Sequence, residues 1–219
     1  MKKSVLILIM GLALLFASGE TKTTTPAAQP AYSNEILIDN FDDGDITNDP
    51  TWWTFDKAQV SFPEAKDGKY GLYSMKVTGK VDNYYLGGMG TYVGKDVYQD
   101  DTLVISVYGT GKDSGKIKIQ LFDDDNNTYQ LEQDSTFKPL ADDQFEYELP
   151  VTWEGWRTVE IPLSKFVDVN PGIGDDVWNP DTKNGSGGLL HFQMVFLAPT
   201  QKGAVNLMVD NIRLVKKAE

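Results

Sequence analysis

The sequence predicts an all-β protein built as an antiparallel two-sheet sandwich, and three observations carry that expectation. Short segments alternate apolar and polar residues with a period of two. Clusters of Gly, Asp, Asn and Pro separate them. No stretch shows the longer period of an amphipathic helix. Strands that follow one another with no helical crossover leave a sandwich as the natural layering.

The chain opens on a positive Met1-Lys2-Lys3, an apolar run from Val5 to Phe16, and small residues at Ala17-Ser18-Gly19. This pattern reads as a secretory signal peptide over residues 1–19, since the run is short for a spanning helix. A bacterial lipid anchor would need cysteine at position 20, where Glu20 stands, so no lipid anchor is expected. Residues 20–34, rich in Thr, Pro, Ala and Gln, read as a flexible tether. One domain is expected over residues 35–219.

Ile36-Leu37-Ile38 begins the first strand and runs into Asp39-Asn40-Phe41-Asp42-Asp43-Gly44. The last strand echoes it with Val209-Asp210-Asn211-Ile212. The two are expected to lie side by side. Trp52–Phe55 reads as a short aromatic strand, and Leu72–Thr78 as a half-buried one. Tyr84–Tyr92 mixes aromatics with three glycines, as a strand does when something packs closely over it. Leu103–Tyr108 sets Leu103, Ile105 and Val107 inward, and Lys116–Phe122 sets Ile117, Ile119 and Leu121 inward. Asp123–Asn127 reads as a solvated hairpin loop with Thr128–Glu132 returning from it. Its acidic spacing imitates a calcium loop of the EF-hand kind, but Thr128 lies where glycine is needed and no helices flank it. Phe145–Leu149 and Arg157–Ile161 are further strands, with a short helical turn near Leu163. A long polar loop follows over residues 170–188. Leu189–Leu197 then points Leu190, Phe192, Met194 and Phe196 inward.

The formal net charge is −12, and loss of Lys2 and Lys3 with the leader would remove two further positive charges. Such a chain repels nucleic-acid phosphates and anionic lipid, so no nucleic-acid partner is expected. With no cysteine, thiol nucleophiles, disulfides and zinc-thiolate sites are excluded. The single histidine and the lack of a Gly-x-Ser-x-Gly elbow argue against a serine hydrolase. A glycosidase needs two carboxylates on outward strand positions. The clearest strands offer Lys, Gln, Ser and His there, so no enzyme is expected.

The segments Asp39–Gly44, Asp67–Val77, Trp156–Leu163 and Val209–Ile212 together resemble the galactose-binding-like jelly rolls. Within these the chain is most similar to carbohydrate-binding module family 11 and to the complex I intermediate-associated protein 30 domain. The resemblance implies a jelly-roll sandwich that binds a polysaccharide or oligosaccharide, β-glucan among the candidates. It also implies a structural calcium held by Asp42, the Asp67–Lys69 loop and Asp210. Calcium suits such a site because it takes six to eight oxygens in loose geometry.

A sugar-binding face needs aromatic rings to stack on sugar C–H surfaces, with amides and charges to bond hydroxyls. The outward residues Tyr108, Lys118, Gln120, His191 and Gln193 are the candidates, joined by Tyr85 and, from the long loop, Trp178. Trp52 and Trp53 are further possible stacking platforms. An envelope protein partner held by the same sandwich is the alternative. Export would place the chain in the periplasm, at the cell surface or outside the cell.

Overall fold

The computed structural model describes residues 32–64, 71–183 and 186–218. The leader, most of the tether, and Asp67 and Lys69 lie outside the described residues. Among the described residues, twelve strands form two antiparallel six-stranded sheets packed face to face.

One sheet contains β1 (Tyr32–Asp39), β3 (Gln59–Ser61), β4 (Met75–Val81), β6 (Thr102–Thr110), β9 (Glu154–Pro162) and β12 (Gly203–Lys217). The other runs β10 (Val167–Asp168), β8 (Asp143–Val151), β7 (Gly115–Asp123), β11 (Leu189–Leu197), β5 (Tyr85–Lys95) and β2 (Trp52–Asp56). The short turn near Leu163 is a 3₁₀ turn over Leu163–Lys165. β1 begins at Tyr32, so the last three residues read as tether belong to a strand.

As expected, the first and last strands meet. β1 pairs with the C-terminal half of β12, and β4 with its N-terminal half. The strand holds its alternation across Asn211 by a bulge, where the backbone is left-handed (φ 47°). Val209 and Ile212 therefore both reach the core although three positions apart.

Alternation places the core as the sequence indicates. Ile117, Ile119, Leu121, Phe192, Met194 and Phe196 are wholly buried between the sheets, facing Leu103, Ile105, Val107 and Leu207. Phe41 and Trp52 close one end of the core, 5.8 Å apart between ring centroids. Asp39 fixes both: one carboxylate oxygen accepts the Phe41 N–H (2.7 Å) and the other the Trp52 indole N–H (2.6 Å). Trp52 is thus a core residue, and only Trp53 of that pair meets solvent.

The Asp123 turn departs from expectation. Thr128–Glu132 forms no strand, and the strand that returns beside β7 is β8, starting at Asp143. The Asp124 carboxylate accepts the backbone N–H of Thr128 and Tyr129, both at 3.2 Å. Those donors are folded into the loop and are lost to a ladder.

Candidate functional site

The outer face of the β10–β8–β7–β11–β5–β2 sheet is built in rows, because residues paired across antiparallel strands project to the same side. One row holds Gln144, Phe122, His191 and Tyr92. The next holds Glu146, Gln120, Gln193, Gly90 and Trp53. A third holds Glu148, Lys118, Val195, Gly88 and Phe55. Aromatics gather toward β2 and β5, and hydrogen-bonding side chains toward β7 and β8.

The aromatic half depends on the glycines of β5. A Cβ at Gly90 would lie 2.6 Å from the Trp53 indole and 2.7 Å from the Gln193 side chain, and one at Gly88 would lie 2.5 Å from the Phe55 ring. The rings occupy the space that β5 side chains would fill. Trp53 also meets His191 edge-on at 5.0 Å, while Tyr92 and Phe122 each approach the imidazole at 6.1 Å. Trp53 is 37% exposed and Tyr92 46% exposed, so both offer ring surface to a ligand.

Glu146 organises the polar half. One of its oxygens accepts from the side-chain amides of Gln120 (2.6 Å) and Gln144 (2.9 Å), and the other pairs with Lys118 Nζ at 3.1 Å. Four side chains from β7 and β8 are thereby held in fixed directions before any ligand arrives. Such preorganisation removes an ordering cost from binding.

His191 sits among rings, and burial lowers its pKa to about 4. The imidazole is neutral through the physiological range. Because the folded pKa lies below the ordinary value of 6.5, its contribution to stability is full above pH 6.5 and is lost as pH falls toward 4. The melting temperature of His191→Phe, measured against the native protein from pH 7 to pH 4, should lose that slope. The full linkage slope is about 1.4 kcal/mol per pH unit, and the partly exposed ring should give about 1 kcal/mol or less.

The structure brings Lys118, Gln120, His191 and Gln193 together on this face. Tyr85 stands on it too, at a far corner beside Leu197, with its hydroxyl donating to Asp56. Tyr108 does not share it. It lies on β6 of the other sheet, paired with Met208 and packed edge-on to Trp156 at 5.6 Å. Alternation fixes which way a side chain points within its strand, not which sheet the strand joins. Trp178 is also elsewhere: its ring is half-buried against Phe145 at 5.3 Å, at the margin of the core. Glu146 and Glu148 also stand outward on β8, within the Phe145–Leu149 strand but outside the predicted site residues. Their alternation with Phe145, Tyr147 and Leu149 was the available signal.

On β12, Asp210 is wholly buried and accepts from Ser74 Oγ (2.8 Å) and the Asn211 N–H (2.6 Å). Burial, with the charges of Asp42 and Asp39 nearby, raises its pKa to about 7. Asp42 accepts the Leu72 N–H and the Asn40 amide. Carboxylates following the first strand and on the last lie near one another here, and no described lysine or arginine pairs with them.

The family model of the surface glycan-binding protein B xyloglucan-binding domain matches residues 31–216. The chain belongs to this family. The match spans both sheets of the glycan-binding-protein domain and so takes in every strand of the face described above. Among solved structures, the family 11 carbohydrate-binding module from Clostridium thermocellum, in complex with a β-1,3-1,4-mixed-linked tetrasaccharide, is similar at a TM-score of 0.55. It is 16% identical, with 84% of this chain and 97% of that one covered. The family 11 module of the cellulosomal cellulase Lic26A-Cel5E of the same organism gives a TM-score of 0.53 at 16% identity, covering 85% and 96%. These likenesses establish the shared jelly-roll sandwich. No curated protein sequence matches the chain. The domain is a carbohydrate-binding one.

Proposed function

We propose that the protein is a secreted, non-catalytic glycan-binding domain that holds a β-linked glucan, xyloglucan first among the candidates, on the outer face of the β2–β5–β11–β7–β8 sheet. The observation that carries this is the division of that face into an aromatic half, Trp53 and Tyr92, and a hydrogen-bonded half centred on Glu146. Sugar rings stack on the first while hydroxyls exchange water for the amides and charges of the second. The rows cross five strands, a span that suits a long glycan chain lying across them. The family's own description supports xyloglucan as the first glycan to try.

The leader over residues 1–19 would direct the chain out of the cytoplasm, to the cell surface. Calcium bound by Asp42 and Asp210 would tie the first strand to the last and stabilise the scaffold through linkage.

Electrophoresis through native gels cast with xyloglucan, mixed-linked β-glucan or galactomannan tests the reading. Retardation is expected in the xyloglucan gel. Glu146→Ala removes the acceptor that directs Gln120, Gln144 and Lys118, and should weaken binding by about tenfold, equivalent to about 1.4 kcal/mol, with little change in melting temperature. Free mobility in every glucan gel would overturn the proposal and favour a protein partner in the cell envelope.

A further inference from the structure

A second acidic cluster lies where β7 ends and β8 begins, away from Asp42 and Asp210. Asp123 and Asp143 are paired directly across these two strands. Asp125 follows in the loop after β7, and the chain beyond β10 brings Asp175 and Asp176 against them. Carboxylate oxygens of Asp125, Asp143 and Asp175 lie within 4.8 Å of one another, and so do those of Asp143, Asp168 and Asp176. Asp143 belongs to both groups.

The buried oxygens point to a ligand independently of that proximity. Asp143 is 0% exposed, and its Oδ1 has no hydrogen-bond partner. Asp123 is 1% exposed, and its Oδ1 is likewise unpartnered. A bare carboxylate oxygen in a protein interior is costly unless something supplies positive charge or a donor. Asp143 Oδ1 and Asp125 Oδ2 also converge on one spot beside Gly174, each 2.3 Å from where a Cβ there would sit. Gly174 has φ +75° and leaves that space open. No described lysine or arginine pairs with any of these carboxylates.

The remaining hydrogen bonds fix the site from both sides. Val177 N–H donates to Asp143 Oδ2 at 3.1 Å, and Asn179 N–H to Asp123 Oδ2 at 2.8 Å. The loop after β10 is thus fastened to the strand ends, with the unpartnered Asp143 Oδ1 left beside Asp125 Oδ2. Burial and the neighbouring carboxylates push Asp123 up to about 8 and Asp125 up to about 7, consistent with a site short of positive charge.

We propose that this end of the sheet is a cation site of the calcium class, with Asp125, Asp143 and Asp175 as its principal ligands and Asp168 and Asp176 beside Asp143. The donors are all oxygens, with no histidine or thiol, which favours a hard divalent ion over a transition metal. The ion ties the loop after β10 to the ends of β7 and β8. Phe122 and Gln144, one residue along from Asp123 and Asp143, belong to the sugar-binding face, so the ion braces the rim of that face.

Isothermal titration of calcium chloride into the chelator-stripped full chain tests this, independently of any glycan. Asp175→Asn, at an exposed position, and Asp143→Asn should each lose one bound ion or weaken its binding at least tenfold. Asp210→Asn should leave that ion in place. The proposal is overturned if the native chain takes up no calcium, if Asp210→Asn abolishes all uptake, or if both other variants bind as the native chain does. Should Asp143→Asn fail to fold, Asp175→Asn decides alone.

Discussion

Trp53→Ala should weaken glycan binding by about thirtyfold, equivalent to about 2 kcal/mol, the range of an aromatic anchor at the centre of a binding surface. The ring stands over Gly90 at the meeting point of the aromatic and polar halves, beside His191 and in the same row as Gln193, Gln120 and Glu146. Its removal takes away the stacking surface and lets Gln193 and His191 relax toward the vacated space. The fold should tolerate the change, because β2 is the outermost strand of its sheet and the indole meets solvent. Calorimetric titration with a xyloglucan oligosaccharide gives the affinity, and differential scanning calorimetry checks that the melting temperature moves by only a few degrees. Unchanged affinity would remove Trp53 from the site and shift attention to Tyr92.

Phe192→Ala should instead destabilise the protein by about 3–5 kcal/mol, through lost burial and the cavity left behind. Phe192 is 0% exposed and meets Trp52 edge-on at 6.1 Å. A domain of this size should then melt roughly 10 °C lower. The same strand places His191 and Gln193 on the opposite, outer side, where the glycan is proposed to bind. Below the new melting point the folded fraction should therefore bind glycan nearly as the native protein does. Thermal unfolding combined with titration at low temperature separates the two. A loss of affinity equal to that of Trp53→Ala, in the folded state, would show that core packing and face geometry are more tightly coupled than the alternation implies.

These two residues show what was legible beforehand. Phe192 is assigned to the core by period two alone, since a residue flanked by His191 and Gln193 on a half-buried strand can face only inward. The same rule puts Lys118, Gln120, His191 and Gln193 outward, and the pairing of β7 with β11 makes them one surface. Tyr108 obeys the rule as well, yet faces away on the other sheet. Strand pairing is a long-range choice, set by how whole faces pack, and no local pattern encodes it. Glu146 was readable as outward but not as the hub of a network, because its partners come from two strands.

The acidic turn is the sharpest case. Judged as one continuous loop, Asp123–Asn127 lacks the glycine and helices that a calcium loop of the EF-hand kind requires. In the fold, Asp125 joins Asp143 and Asp175, residues 18 and 50 positions further along the chain. The sequence alone determined the all-β class, the inward and outward faces of the long strands, and the meeting of the first strand with the last. Each of these follows from local periodicity or from paired end motifs. The tertiary structure decided which strands share a sheet, that Trp53 and Tyr92 share one sheet face with Glu146, and that scattered aspartates converge. Those outcomes depend on contacts between distant segments, whose free energy comes from burying a common core and leaves no periodic trace in the chain.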